Sequence, residues 1–363
     1  MKITIITGAR PNFIKVAPII HEIQARQELS ENISFRLVHT GQHYDKKLSS
    51  IFFEELNIPF PDTNLEVGSG TQAEQTAVIM VAFEKELIAN PTDLVLVVGD
   101  VTSTMACTIV AKKLFTTVAH VEGGIRSFDL SMPEEINRMV TDAITDYFYV
   151  TSANAIKNLK GIGIKDEAIV FVGNTMIDTL IANLDNLKKP NLFVDLQLQT
   201  KQYLVMTMHR PANVDKEQKL KAFIQEIVTA SNGLPILFPV HPRTKHVLSK
   251  LNISANNLYI IEPLGYLEFN YLVKNSLAVI TDSGGISEET TFMKIPCLTL
   301  RDNTERPETV SIGTNKLVGT NPKNIKESLQ NIFSGNWKSG KTPKFWDGKT
   351  SQRIIDHLLN IKI

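Results

Sequence analysis

At 363 residues with 43% apolar side chains, the chain can bury substantial cores, and its length suits two domains better than one. Lysine plus arginine and aspartate plus glutamate each number 38, so the formal net charge is zero; with no long basic block, nucleic acid is not an expected partner. The first apolar run is cut short by Gly8, Arg10 and Pro11, no later run is long enough to cross a bilayer, and Cys107 and Cys297 lie far apart in apolar segments, a pattern that reads as a cytoplasmic protein with reduced thiols and neither signal peptide, disulfide framework nor zinc site.

Short β-rich runs at 3–6, 35–39, 94–98, 117–121, 147–150 and 169–172 are each expected as buried parallel strands. Helix-compatible segments at 14–27, 75–88, 104–114 and 135–145 separate them, the βαβα rhythm of a doubly wound sheet. A polar connection near 177–190 leads into a second round, with strands at 203–208, 236–240, 258–261, 278–281 and 297–300. There is no short-period repeat and no low-complexity tract, which argues for two similar units and against a solenoid. The expected fold class is therefore α/β, with two Rossmann-like domains at 1–175 and 176–345. Ligands of such sheets bind beyond the carboxyl ends of the strands, so two facing sheets would make an interdomain cleft.

The chemistry-bearing residues fall at those strand ends. After the first strand, Gly8-Ala9-Arg10-Pro11 and Lys15 place two cations where both could face a phosphate; a surface ion pair explains Arg10 equally well. The run is not GxGxxG, which leaves a nicotinamide cofactor poorly supported. Asp100, after the third expected strand, sits where an active site would be, although helix capping is the commoner role for a lone aspartate there. Glu122 interrupts a transition from apolar strand to glycine and has no obvious solvated-face role. Glu134 and Glu135 open the next helix, where complementing the helix dipole is the ordinary explanation. Several carboxylates near a bound anion would have perturbed proton affinities, which suits general acid–base work.

In the second half, His209-Arg210-Pro211 and His241-Pro242-Arg243 each follow a strand. Either histidine could donate to phosphate or shuttle a proton, or be a satisfied strand-end residue; neither has a partner at metal-ligand spacing. At 277–292, LAVITDSGGISEETTF, an apolar run ends in Asp282-Ser283-Gly284-Gly285 and a helix carrying Glu288 and Glu289 follows. Adjacent glycines at a helix N-terminus suit a phosphate, and glutamates one turn in suit ribose hydroxyls. An ordinary tight turn explains the glycines at least as well from this segment alone. The polar turn at 301–308, RDNTERPE, is expected as a solvated charged loop.

In order along the chain, GARPNFIK (8–15), HTGQHYD (39–45), GDVTSTMA (99–106), HVEGGIRSFDLSMPEEINR (120–138), HR (209–210), HPRT (241–244), TDSGGISEE (281–289) and RDNTERPE (301–308) strongly resemble the non-hydrolysing UDP-N-acetylglucosamine 2-epimerases. The resemblance implies the glycosyltransferase-B architecture, an amphipathic helix within 346–363 returning to the first domain, and a homodimer. It implies interconversion of UDP-GlcNAc and UDP-ManNAc for surface polysaccharide precursors. UDP leaves by anti elimination, a 2-acetamidoglucal stays bound, and UDP adds back with the proton delivered to the other face. By resemblance Asp100, Glu122 and Glu134 carry proton transfer, without an assignment of which is the base, and His209 assists at the leaving diphosphate. Arg10, Ser283, Gly284 and Gly285 match diphosphate contacts, Lys15 a residue near the reacting sugar, Glu289 the ribose ligand, and the turn at 263–267 lies near uracil. No metal, nicotinamide or other cofactor is implied.

One departure concerns regulation. Many relatives carry a glutamate two residues after the Arg of the His-Arg motif, and bacterial members activated by a second UDP-N-acetylglucosamine pair it with an arginine in the loop after the second helix. Here that position is Ala212, and the loop 66–71 has no arginine, although Gln42 and His241 remain, so weak or absent allosteric activation is expected. HTGQHYD, IRSFDLSMPEEINR and LGYLEF also resemble epimerases of UDP-2,3-diacetamido-2,3-dideoxyglucuronate, while the run TERPET at 304–309 favours the N-acetylglucosamine enzymes. A glycosyltransferase of the same fold needs less acid–base equipment than Asp100, Glu122 and Glu134 together provide, and a non-catalytic nucleotide-sugar sensor would leave those carboxylates without a task.

Overall fold

The computed structural model describes residues 1–41, 52–240, 242–251, 253 and 255–361; the side chains of Arg10, Pro211, Ala212, Pro242, Arg243, His246 and Ser249 lie outside this description, as do Gln42 and His241. The chain divides into two compact units, Met1–Ala182 with Lys344–Ile363, and Asn183–Pro343.

In the first unit the strands are β1 (Lys2–Thr7), β2 (Ser34–His39), β3 (Thr63–Asn64), β4 (Leu94–Val98), β5 (Thr117–Val121), β6 (Tyr147–Val150) and β7 (Ile169–Phe171). They pair in parallel in the order β3-β2-β1-β4-β5-β6-β7. In the second unit β8 (Leu204–Thr207), β9 (Ile236–Pro239), β10 (Leu258–Ile261), β11 (Ala278–Thr281), β12 (Cys297–Thr299) and β13 (Asn315–Leu317) pair in parallel as β10-β9-β8-β11-β12-β13. The first six strands of each unit thus follow the same order. Strands Leu94–Val98 and Ala278–Thr281 are largely apolar and buried at every position, because helices cover both faces of a parallel sheet. The order in which strands are added switches side between β1 and β4 in one sheet and between β8 and β11 in the other. These are the crevices where doubly wound sheets take their ligands.

Both fully buried cysteines fit the apolar segments that carry them. Two strands lie outside the sequence expectation, β3 and β13. Each is two or three residues long and polar, and only pairing to an existing sheet edge makes it a strand.

The C-terminal segment is tied to the first unit by specific contacts. The Asp178 carboxylate accepts from Ser351 N at 2.8 Å and Ser351 Oγ at 3.1 Å, near the N-terminus of the helix Thr350–Asn360. Arg353 donates to the Val172 carbonyl at 2.9 Å and lies over the Phe345 ring, and Arg26 pairs with Asp356 at 2.5 Å. Asp178 belongs to the helix Thr175–Asn183, whose Thr179 hydroxyl also donates to the Ile14 carbonyl, so this helix stays with the first unit as far as Ala182.

Candidate active site

Lys15 and Glu122 meet at the switch point of the first sheet. Lys15 stands on the second turn of the helix Arg10–Glu28 that follows β1, and Glu122 immediately follows β5. Their Nζ and Oε2 atoms are 2.7 Å apart, with side chains 9% and 3% exposed. Gly99, at the end of β4, lies against both: a Cβ built there would sit 3.1 Å from Lys15 Nζ and 3.9 Å from Glu122 Oε2. Asn12 braces the same corner by accepting from Gly8 N and Ala9 N while donating to the Val98 carbonyl. The Arg10 side chain lies outside the described residues.

Asp100 does not cap the helix Thr102–Lys113, whose N-cap is Val101. Its carboxylate instead receives two bonds from Arg138, Nη2 at 2.5 Å and Nε at 3.1 Å, and its carbonyl accepts from Asn137. Arg138 also donates to Glu135 at 2.5 Å, and Glu135 accepts from Ser127 N, Ser127 Oγ and Phe128 N. Glu135 is therefore more than a dipole partner at a helix start: it anchors the loop between Glu122 and its own helix. Burial would raise the Glu135 carboxyl, but the Ser127 and Arg138 bonds hold it below its usual range. Glu134, its neighbour, is half-buried, and no side-chain hydrogen bond or ion pair among the described residues engages it.

The helix Pro133–Ile144 that supplies these groups is inside out. Glu135, Asn137, Arg138, Thr141 and Asp142 are buried, while Ile136 and Met139 are 49% and 47% exposed. Hydrophobic periodicity would place Ile136 and Met139 inward, so Arg138 and Asp142 are functional candidates that sequence reading missed. Ile136, Met139, Val140, Ala143 and Ile144 form a complete i, i+3, i+4, i+7, i+8 stripe, so no local signal announced that the polar face would turn inward.

In the second unit the switch point is organised by Asp282, fully buried after β11. Its carboxylate accepts from the backbone N–H groups of His209 and Arg210, at 3.2 Å and 3.0 Å, and from Asn213 at 3.1 Å, and lies 2.8 Å from His209 Nδ1. Burial pushes the Asp282 carboxyl up, yet the His209 bond and charge, with Asn213 and Arg210, bring it below its usual range. His209 is thereby fixed through Nδ1 while its ring remains 59% exposed. Ser283 is the N-cap of the helix Gly284–Met293 and makes no side-chain cap; its N–H donates to Thr281 Oγ1 at 3.0 Å. The first turn of that helix holds no acidic side chain. The amides of Gly284 and Gly285 therefore stand at a positive helix end suited to an anion, beside Ser283.

Glu305 lies beside Gly284, whose Cβ would come within 2.8 Å of Oε1, and pairs with Arg301 at 2.6 Å and Arg210 at 3.4 Å. Arg306 pairs with Glu288 at 2.9 Å. The expectation of a solvated loop at 301–308 is thus corrected: Arg301, Arg306 and Glu308 are 4–6% exposed, because opposite charges from three segments neutralise one another there. Glu289 is also buried, accepting from Asn270 at 3.3 Å and bonded to Tyr266; burial pushes its carboxyl up to about 7.

A profile described as UDP-N-acetylglucosamine 2-epimerase matches residues 25–359. The chain belongs to the UDP-N-acetylglucosamine 2-epimerase family. Among its relatives in that family, the UDP-N-acetylglucosamine 2-epimerase of Methanocaldococcus jannaschii is 42% identical over 98% of both chains. The UDP-2,3-diacetamido-2,3-dideoxy-D-glucuronate 2-epimerase of Pseudomonas aeruginosa is 38% identical over 99% of this chain and 100% of its own. The crystal structure of the M. jannaschii epimerase in complex with UDP-GlcNAc and UDP covers 99% of each chain at a TM-score of 0.90 and 42% identity. Among the described residues of this epimerase-family chain, no helix is long and apolar enough to cross a membrane.

Proposed function

We propose that the protein interconverts UDP-N-acetylglucosamine and UDP-N-acetylmannosamine by anti elimination of UDP, formation of 2-acetamidoglucal and re-addition of UDP. The observation that carries this reading is the buried Lys15–Glu122 pair beside Gly99-Asp100 in a chain of this family. The proton at carbon 2, next to an acetamido group, is not appreciably acidic, so its removal needs a positioned base, a cation near the developing charge, and an acid for the opposite face.

Asp100, Glu122 and Glu134 supply the carboxylates in this scheme, with Lys15 near the reacting sugar. In the second unit, Ser283, Gly284 and Gly285, with His209, hold the diphosphate so that it returns, and Glu289 takes the ribose. Arg10 joins the diphosphate contacts by resemblance. No step calls for a metal or a nicotinamide.

The similarity to the P. aeruginosa enzyme supports a second substrate, UDP-2,3-diacetamido-2,3-dideoxyglucuronate, under the same mechanism. Incubation with each UDP-sugar in deuterium oxide, without acceptor, separates the readings. Deuterium at carbon 2 together with the second stereoisomer identifies the substrate; an unchanged sugar removes that substrate, and free UDP alone indicates hydrolysis. We also place the protein in the cytoplasm, as its buried free cysteines suit a reducing compartment. We infer a homodimer as well, supported by the exposed Phe128, Leu130, Ile136 and Met139 on the first unit; light scattering that returns a monomer mass would contradict it.

A further inference from the structure

One buried polar cluster of the first unit takes no part in the proton transfers proposed above. His120, Asp142 and Arg126 are 1%, 0% and 9% exposed. His120 lies on β5, two residues before Glu122, and Asp142 lies on the helix Pro133–Ile144. Asp142 Oδ1 is 2.8 Å from His120 Nδ1, while Oδ2 accepts from Arg126 Nη1 at 2.6 Å and from the Gly124 N–H at 3.0 Å. The other ring nitrogen, Nε2, is 2.8 Å from the Gly99 carbonyl. A carbonyl oxygen only accepts, so Nε2 carries a hydrogen in that bond. Burial alone would raise the Asp142 carboxyl, but the His120 bond, the His120 and Arg126 charges and the Arg126 bond hold it below its usual range, as an acceptor.

Such a cluster is costly to desolvate, and stability by itself is a weak reason for it. Its geometry offers a better one. A single carboxylate reaches the backbone on both sides of the reacting groups: Gly99, adjacent to Asp100, through His120, and Gly124, two residues after Glu122, directly. Elsewhere Asp100 and Glu122 are held by separate partners, Arg138 and Lys15.

We propose that Asp142 and His120 are positioning residues that fix Asp100 and Glu122 relative to each other, so that proton removal and delivery are completed before the glycal intermediate escapes. This rests on the epimerase reading above. Misplacement by about 1 Å costs roughly a hundredfold in rate for a reaction with oriented groups, and with two transfers on opposite faces the second fails while the intermediate is still free to leave.

The test uses Asp142→Asn and His120→Gln in the full chain, with UDP-N-acetylglucosamine in deuterium oxide, following both epimer and released 2-acetamidoglucal by NMR, with a thermal melt of each variant. Turnover is expected to fall about tenfold or more with KM within about twofold, and the ratio of released glycal to epimer to rise at least about fivefold. A merely structural role lowers the fraction of active protein and leaves that ratio alone, so an unchanged ratio in a folded variant overturns the inference. Should Asp142→Asn fail to fold, the ratio in His120→Gln decides. Wild type that inverts no UDP-sugar removes the epimerase reading itself; active wild type with unchanged variants removes only the positioning role.

Discussion

Glu122 adopts a left-handed backbone, φ +71°, at the point where its carboxylate meets Lys15. A non-glycine residue there stores strain of about 1–3 kcal/mol, which the bond from its own N–H to the Tyr149 carbonyl and the Lys15 ion pair help to maintain. Replacing the carboxylate by an isosteric amide removes a group able to exchange a proton without emptying the space. Glu122→Gln is accordingly expected to slow epimerisation by about a hundredfold or more while calorimetry still detects UDP binding; near-normal turnover would take Glu122 out of the proton-transfer set. The residue was legible from the chain because an acid in an apolar-to-glycine transition lacks a surface role. Its partner was not, since Lys15 is 107 residues away and only the parallel order β1-β4-β5 brings them together. The same holds for Asp100: capping was a reasonable local reading, and the competing Arg138 came from a helix whose face was inverted.

At the scale of elements, the C-terminal segment shows how a short run is held by shape as much as by pattern. Gly173, φ +108°, approaches so closely that a Cβ would lie 2.2 Å from the Phe345 carbonyl oxygen. Gly173→Ala is expected to destabilise the protein by at least about 2 kcal/mol in chemical denaturation, and a loss below about 0.5 kcal/mol would contradict this packing. The helix it leads to is latched by Asp178, whose carboxyl is pushed above its ordinary range by burial, with the Ser351 and Thr350 bonds offsetting part of the effect. A folded value raised above the unfolded one means that the favourable contribution is complete below about pH 4 and is lost as pH rises through the raised value. Relative to Asp178→Asn, which keeps an acceptor for Ser351, wild type is expected to lose stability from about pH 4 toward the raised value; paired thermal melts showing wild type gaining over that window would refute the assignment. The amphipathic pattern announced this helix, whereas the identity of its cap lay 173 positions upstream.

For the whole molecule, two sheets that share the order of six strands place carboxylates and the amides of a helix N-terminus at strand ends of separate units. Regulation is the property most open to test at this level. The loop at 66–71, which would help form an activator pocket, lacks arginine, position 212 is alanine, and Gln42 and His241 lie outside the described residues. Saturation with UDP-N-acetylglucosamine is expected to be hyperbolic, with a Hill coefficient near 1; a sigmoidal curve, or activation of a second substrate by it, would count against this. The alternation of apolar strands with helices, the duplicated architecture and the ordered motifs could be read directly, because burial in a parallel sheet leaves continuous apolar runs and glycine punctuates their ends. The ion pairs could not. Lys15 with Glu122, Arg138 with Asp100, Asp142 with His120 and Glu305 with Arg301 and Arg210 depend on which strand ends become neighbours and which helix face turns inward. A buried charge is tolerated only where a partner from another segment arrives, and that arrival is a property of the packed chain.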